Sequence, residues 1–377
     1  MKYRKFGKLK WEVAVLGFGA MRLPVIDNDP ARIDEEEATR IVRYGIDRGI
    51  NYVDTAYPYH GGQGEPVVGR ILRDGYRERV KLATKLPCWL VKNGGDFDRY
   101  LDEQLERLQT EHIDFYLLHS LRDPTWPLMR RLHVFDWAEK ALADGRIGHL
   151  GFSFHDRYDM FQEIIDAYDN WAMCQIQYNF MDIDYQAGIR GLKYAADKGI
   201  AVVAMEPIRG GRLAQNVPPA IQALWNSAAQ QRTPADWALQ WVWNQPEVTV
   251  VLSGMSALEH VAQNLASAEH SRVGLLTGDE LALIAQVREK YLELSPIPCT
   301  DCRYCMPCPS GVNIPRIFEL YNDAHKYDSL QIPKMLYRIL SEENRANQCV
   351  ECGQCMEQCP QHIEIPDGLK KAHALLA

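Results

Sequence analysis

Two cysteine arrays near the C-terminal end set the tightest limit on what this chain can fold into. The first reads Cys299-x2-Cys302-x2-Cys305-x2-Cys308-Pro309, and the second Cys349-x2-Cys352-x2-Cys355-x3-Cys359-Pro360. Thiolates are soft ligands that suit iron–sulfur clusters, and a cubane needs four of them. Two groups of four, each closing on Cys-Pro, read as two [4Fe–4S] clusters.

Zinc and disulfides are the competing readings. Zinc ribbons use two Cys-x2-Cys pairs. Each array here carries a third cysteine at the same spacing and then Cys-Pro, which a zinc site does not need. Disulfides need an oxidising compartment. No apolar h-region follows Met1-Lys2-Tyr3-Arg4-Lys5, so no signal peptide is expected. No apolar run approaches the roughly 20 residues of a membrane helix. The expectation is a cytoplasmic protein with reduced thiols and no membrane association. The second array matches the bacterial ferredoxin run, whose fourth cysteine ligates the other cluster. That rule groups Cys299, Cys302 and Cys305 with Cys359, and Cys349, Cys352 and Cys355 with Cys308. The first array is one residue short of the usual spacing before Cys308. Cys88 and Cys174 stand alone in apolar surroundings and read as core.

The chain has 377 residues, 46% hydrophobic and 24% charged, enough for one large domain and one small one. Its net charge of −8 and lack of a basic stripe argue against a nucleic-acid partner. From residue 12 to about residue 270, apolar runs alternate with helical patterns. The strand candidates are 15–19, 50–54, 80–84, 113–118, 147–151, 173–177, 200–204 and 248–252. Helical patterns include 34–48, 97–108, 185–198 and 279–294. Thr233-Pro234 marks a helix start, and Ser256-x-x-Glu259 and Thr277-x-x-Glu280 read as capping boxes. Eight βα units in about 260 residues fit a TIM barrel, with a doubly wound open sheet as the competitor. Ser295-Pro296-Ile297-Pro298 reads as a linker, so residues 1–295 form the barrel domain and 296–377 the cluster domain. Helical patterns at 314–326 and 333–344 separate the arrays, as in the α-helical ferredoxin type. The expected fold is α/β, a (β/α)8 TIM barrel with a small C-terminal α-helical ferredoxin-like iron–sulfur domain.

TIM-barrel active sites lie at the C-terminal ends of strands. Those ends here carry Asp54-Thr55-Ala56-Tyr57-Pro58-Tyr59, then Ala83-Thr84-Lys85, then Leu117-Leu118-His119. An acid, a tyrosine, a lysine and a histidine at one mouth suit proton transfer to a carbonyl oxygen. A lysine ammonium beside a tyrosine favours phenolate and lowers the phenol pKa, and the aspartate holds the lysine. Tyr57 and Tyr59 compete for the acid role. Taken singly, Asp54 reads equally as a turn cap and His119 as a hydrogen-bonded barrel-end histidine.

The segments Asp54-Thr55-Ala56-x-x-Tyr59, Ala83-Thr84-Lys85 and Asp114-x-Tyr116-Leu117-Leu118-His119 are similar to the aldo-keto reductase family. The likeness runs from Lys5-Phe6-Gly7 to Asn264. With the tail, the chain resembles the subgroup with a C-terminal two-[4Fe–4S] ferredoxin-type domain. The resemblance implies an NAD(P)-dependent oxidoreductase that transfers hydride to a small aldehyde or ketone. In it Tyr59 is the general acid, Asp54 and Lys85 tune it, and His119 completes the tetrad. It also implies cofactor contacts from Ser153, Gln175, Glu206, Arg209, Gly254 and Asn264, and a weaker one from Asn179. Phe154 stands where many members have asparagine, and Met205 where many have a stacking aromatic. Gly254, Met255 and His260 replace the lysine, serine and arginine common in NADPH-preferring members, so NADPH or NADH remains open. Met21, Arg22, Trp89, Arg122, Trp126 and Arg209 are the candidates to line the substrate pocket.

A nicotinamide exchanges two electrons as hydride, whereas a [4Fe–4S] cluster exchanges one, and no flavin motif is visible. Three readings follow. The clusters pass electrons to or from a redox partner, a flavoprotein or ferredoxin. They are structural or oxygen-sensing beside an independent carbonyl reductase. Or the barrel is a non-catalytic docking module.

Overall fold

The computed structural model describes every residue except Thr300, Cys302 and Pro360. All eight expected strands form: β1 (Leu16–Gly19), β2 (Tyr52–Asp54), β3 (Lys81–Leu86), β4 (Ile113–Leu121), β5 (Ile147–Phe154), β6 (Met173–Gln177), β7 (Ala201–Met205) and β8 (Val248–Ser253). They pair in parallel, each with its sequence neighbour, and β8 closes on β1 in register Leu252 with Gly17. The open-sheet alternative is thereby excluded, because the edge strands of such a sheet are joined here. Strands buried on both faces read as continuous apolar runs, which is why their positions were visible in sequence.

An N-terminal hairpin of Tyr3–Lys5 and Glu12–Ala14 plugs the bottom of the barrel. Phe6, at its turn, packs against Phe115 with ring centroids 4.7 Å apart and belongs to a buried cluster with Tyr52, Met173, Val203 and Val250. Gly7 takes φ +51°, and a Cβ there would stand 2.6 Å from the Gly199 carbonyl oxygen. Only glycine lets the plug sit that close.

Helix α1 (Glu35–Asp47) starts at Asp34, whose carboxylate accepts from the Glu37 N–H, and it buries Ala38, Ile41, Val42 and Ile46. Helices α2 (Gly64–Ile71) and α3 (Gly95–Leu108) lie against each other behind β3. Helix α4 (Leu258–His270) begins without the expected capping box. Its N-cap is Ala257, and the Ser256 hydroxyl instead faces His260 Nδ1 at 3.4 Å.

The chain divides into two compact units, Met1–Gly210 with Asp236–Thr277, and Gly211–Ala235 with Gly278–Ala377. The second unit contains α5 (Gly278–Glu293), α6 (Ile314–Lys326), α7 (Gln331–Ile339) and α8 (Ile365–Leu376). Its core joins Val312, Ile317, Phe318, Tyr337, Leu369 and Leu376. The segment read as a linker, 295–298, is anchored at Ile297: its N–H donates to Asn322 Oδ1 at 3.0 Å, and Asn322 Nδ2 donates to the Ile297 carbonyl at 2.7 Å. Helix α7 stops short of the expected Asn344, because Arg345 folds back onto the carbonyls of Arg338 and Leu340. Within this unit Arg212 forms a buried ion pair with Asp323 on α6, at 2.5 Å. Among the described residues no helix is long and apolar enough to cross a membrane.

The α2–α3 contact yields a prediction. A Cβ at Gly69 would lie 2.7 Å from the Leu108 backbone. Alanine normally stabilises a helix by about 1 kcal/mol over glycine, but overpacking against backbone costs about 1–3 kcal/mol. Gly69→Ala is therefore expected to destabilise the fold, read as a lower denaturation midpoint.

Candidate active site and cysteine centres

Asp54 is the last residue of β2, Lys85 lies near the end of β3, and His119 lies near the end of β4. Tyr59 begins the single turn Tyr59–Gly62 that follows β2. The fold brings these four together. Lys85 Nζ donates to Asp54 Oδ1 at 2.5 Å, to the Thr55 carbonyl at 2.7 Å and to Tyr59 Oη at 3.3 Å. The Tyr59 and His119 rings meet edge to face, with centroids 6.1 Å apart. Tyr57 turns elsewhere. Its hydroxyl faces Glu103 at 3.2 Å, and the Arg107 guanidinium lies 4.1 Å over its ring.

Burial governs the protonation of this group. It would lower the Lys85 pKa, but Asp54 and Tyr59 more than offset it, so Lys85 is held above its usual value and stays an ammonium. Burial pushes Asp54 up against the opposing pull of Lys85 and Gln175. Burial likewise raises the Tyr59 phenol, outweighing the Lys85 charge. Lys85 pulls the phenol down as the sequence leads one to expect, but desolvation of a buried phenolate is the larger effect and the net shift is upward. Burial, then Lys85 and His155, holds His119 well below its ordinary value, so the imidazole is neutral at neutral pH. Its Nδ1 is buried with no hydrogen-bond partner among the described residues, as is Thr55 Oγ1.

The residues expected at the cofactor are placed as follows. Ser153 Oγ on β5 accepts from the Ser120 N–H at 2.7 Å. Gln175 Nε2 on β6 donates to Asp54 Oδ2 at 3.0 Å, tying it to the catalytic candidates, a link the sequence did not suggest. Asn179 Nδ2 donates to the Glu206 carbonyl at 3.1 Å. Glu206 (φ 53°) and Arg209 (φ 47°) take left-handed backbone after β7. Asn264 on α4 donates to Ser253 Oγ at 3.0 Å. Met205 ends β7 half-buried.

Two residues gain importance only in three dimensions. Asp182 accepts from Gln177 Nε2 at 2.7 Å and Asn179 Nδ2 at 2.8 Å, and it pairs with Arg209 Nε at 3.1 Å. Arg209 is thus a buried partner of Asp182 rather than an exposed pocket residue. Arg22 lies across both Gly210 and Gly254: a Cβ at Gly210 would meet its Nη2 at 2.5 Å, and one at Gly254 its aliphatic stem at 3.3 Å. That places the guanidinium by the loop after β7 and the aliphatic stem by the loop after β8. Trp89 is exposed beside His119, with centroids 5.0 Å apart, whereas Trp126 is fully buried and donates to Glu163. Trp126 therefore does not line a pocket.

The cysteines line two hollows. One, of about 220 Å³, is walled by Cys308, Cys349, Cys352 and Cys355, with Cys305 at its edge. The second, narrower, is walled by Cys299, Cys305 and Cys359 with Ile314, Phe318 and Ile365. Cys302 lies outside the described residues. Cys355 is raised by burial and then by the charges of Cys349, Cys308 and Cys352, which marks these four as one neighbourhood. Cys308 thus sits with the second array, the crossed grouping expected from the ferredoxin spacing. Cys308, Cys349, Cys352, Cys355 and Cys359 are free cysteines. Four soft donors around one cavity fit a cubane.

The sequence profile described as the aldo/keto reductase family matches residues 15–289. The chain belongs to the aldo/keto reductase family. A second profile, the 4Fe-4S dicluster domain, matches residues 298–364. The reductase is 27% identical to a probable aldo-keto reductase 1 of Glycine max, covering 70% of this chain and 83% of the relative. It is 28% identical to methylglyoxal reductase YeaE of Escherichia coli, covering 71% and 91%. Among solved structures it is similar to an aldo-keto reductase of Klebsiella pneumoniae in complex with NADPH, with TM-score 0.62, 28% identity and coverage of 76% and 95%. The aldo-keto reductase AKR11C1 of Bacillus halodurans gives TM-score 0.61 at 26% identity, covering 76% and 96%. The chain thus joins an aldo/keto reductase domain to a 4Fe-4S dicluster domain.

Removing Lys85 leaves Asp54 charged and buried, which costs about 3–5 kcal/mol. Lys85→Met is expected to lower the unfolding free energy by that order. Adding Asp54→Asn should recover much of it, as read by urea denaturation of the single and double variants.

Proposed function

We propose that the barrel reduces a small aldehyde or ketone with Tyr59 as the proton donor. The observation that carries this reading is Lys85 Nζ held between Asp54 and Tyr59 Oη at the mouth of the barrel. A bound nicotinamide supplies the hydride. The Tyr59 hydroxyl gives its proton to the carbonyl oxygen, and the Lys85 ammonium stabilises the phenolate left behind. Asp54 and the Thr55 carbonyl keep that ammonium in place. Neutral His119 orients the carbonyl by a hydrogen bond and contributes no charge. Ser153, Gln175 and Asn264 are the residues assigned to hold the cofactor, with the loop of Glu206, Arg209 and Gly254 around it. Arg22, stretched over Gly210 and Gly254, supplies the cation that Gly254, Met255 and His260 lack, which favours NADPH over NADH. The NADPH complex of the Klebsiella relative supports the same choice. Methylglyoxal is the first substrate to try, from the name of the YeaE relative.

The barrel domain is assigned to residues 1–295 and the cluster domain to 296–377. We assign Cys308, Cys349, Cys352 and Cys355 to one [4Fe–4S] cluster and Cys299, Cys302, Cys305 and Cys359 to the other. When bound, such clusters supply one-electron transfer. Cys352 is exposed, which suits exchange with a redox partner, a flavoprotein or ferredoxin. A purely structural role is the second reading, favoured by the packing of six of the cysteines against the core of their unit. A reducing compartment, the cytoplasm, keeps these thiols available.

Tyr59→Phe is expected to lower kcat for methylglyoxal by about 10²–10⁴-fold, the range of one acid–base group, while NADPH affinity by fluorescence stays near wild type. Full activity would move the proton to another group. Anaerobic addition of NADPH to the iron-loaded protein decides the clusters' role. Loss of absorbance near ~400 nm with a reduced-cluster EPR signal supports coupled electron transfer. Oxidised clusters beside bound NADPH favour the structural reading.

A further inference from the structure

Behind the proposed catalytic residues lies a second buried carboxylate, that of Glu65 on α2, with no exposed surface. Its Oε1 accepts from the Thr84 hydroxyl at 2.6 Å and from Gln104 Nε2 on α3 at 2.5 Å. Its Oε2 faces Arg107 at 3.3 Å. The amide of Gln104 is fixed at both ends. Its Nε2 donates to Glu65 and to the Lys85 backbone carbonyl at 3.1 Å, and its Oε1 accepts from the Tyr116 hydroxyl at 2.6 Å. Thr84 precedes Lys85 on β3, Tyr116 lies on β4 three residues before His119, and Gly64 precedes Glu65. A Cβ at Gly64 would stand 3.1 Å from both the Tyr59 Cβ and the Tyr59 carbonyl oxygen. One network therefore adjoins the backbone of Tyr59, Lys85 and the His119 strand.

We propose that Glu65 and Gln104 are positioning residues that set the Lys85 backbone, and through it the distance from Lys85 Nζ to the Tyr59 hydroxyl. The proposal rests on the reading of Tyr59 as proton donor. Stability does not account for such a group. A buried charge costs several kcal/mol to desolvate, and well-packed apolar residues serve a core as well or better. A carboxylate offers an acceptor oxygen on both sides: Oε1 takes the Thr84 and Gln104 donors while Oε2 faces Arg107. A glutamine at 65 turns an NH2 group either toward the Arg107 guanidinium or toward the Thr84 and Gln104 donors, and either clash shifts the side chain and loosens the Gln104 amide from the Lys85 carbonyl. Lys85 then drifts from Tyr59, and the phenolate loses the cation that stabilises it.

The test uses the full iron-loaded chain with methylglyoxal and NADPH, and Glu65→Gln, Gln104→Met, their double variant and Tyr59→Phe. Three quantities are followed: kcat against pH, NADPH affinity by fluorescence, and the titration of Tyr59 by NMR of ¹³Cζ-tyrosine. Tyr59→Phe identifies the Tyr59 signal by its loss. Each single variant is expected to lower kcat about tenfold or more, as small misplacements of reacting groups do, with NADPH affinity within about twofold. The Tyr59 titration should move to higher pH, and the double variant should lose no more than the worse single one, because the two residues act as a unit. Wild-type kcat and an unmoved Tyr59 titration in either folded variant overturn the proposal, even if that variant melts earlier. If Glu65→Gln does not fold, Gln104→Met alone carries the same decision. An active Tyr59→Phe enzyme overturns the proton-donor reading itself, and the positioning role with it. An inactive Tyr59→Phe beside unaffected Glu65 and Gln104 variants overturns only the positioning role.

Discussion

The buried pair of Lys85 and Asp54 is the interaction on which the mouth of the barrel depends. Neither group tolerates burial alone, since desolvation raises the aspartate and lowers the lysine. Paired at 2.5 Å and completed by the Thr55 carbonyl and the Gln175 amide, both remain inside the fold. The arrangement leaves one direction of the ammonium facing Tyr59 Oη. The same desolvation that makes the pair necessary keeps the Tyr59 phenol protonated and His119 neutral. A protonated phenol and a neutral imidazole are the forms a carbonyl reduction starts from.

The iron–sulfur unit is organised by a different force. Its described elements are helices and turns around a compact apolar core, and Cys299, Cys305, Cys308, Cys349, Cys355 and Cys359 pack against that core. Cluster ligation, where it occurs, adds binding free energy to the folding of such a unit. The unit also takes in residues 211–235, whose Arg212 is paired with Asp323 on α6. In sequence that segment follows directly on the strained backbone of Glu206 and Arg209.

Much of the fold was legible in the chain. Parallel strands covered on both faces are uniformly apolar, so the eight runs stood out, and the helix at 314–326 was placed to the residue. The capping box at Ser256 failed because His260, one turn on, captures the hydroxyl. The anchoring of the Ser295–Pro298 segment was not legible, because Asn322, distant in sequence, satisfies both backbone groups of Ile297. At the site, Asp54, Tyr59, Lys85 and His119 were visible because strand ends of a barrel converge. Asp182, Glu65 and Gln104 were not, because a carboxylate or amide on a helix or loop reads as solvated until its partners are known.

The sequence by itself determined the architecture and the chemical inventory: βα periodicity, thiol spacing and four functional groups at three strand ends. These are local signals, carried by residues a few positions apart. Only the tertiary structure decided that Tyr59 rather than Tyr57 faces Lys85. The same holds for Arg22 reaching the loops after β7 and β8, and for burial outweighing charge at the Tyr59 phenol. Each of these depends on distances between groups far apart in the chain and on how much water is excluded around them, and the order of residues does not encode either quantity locally.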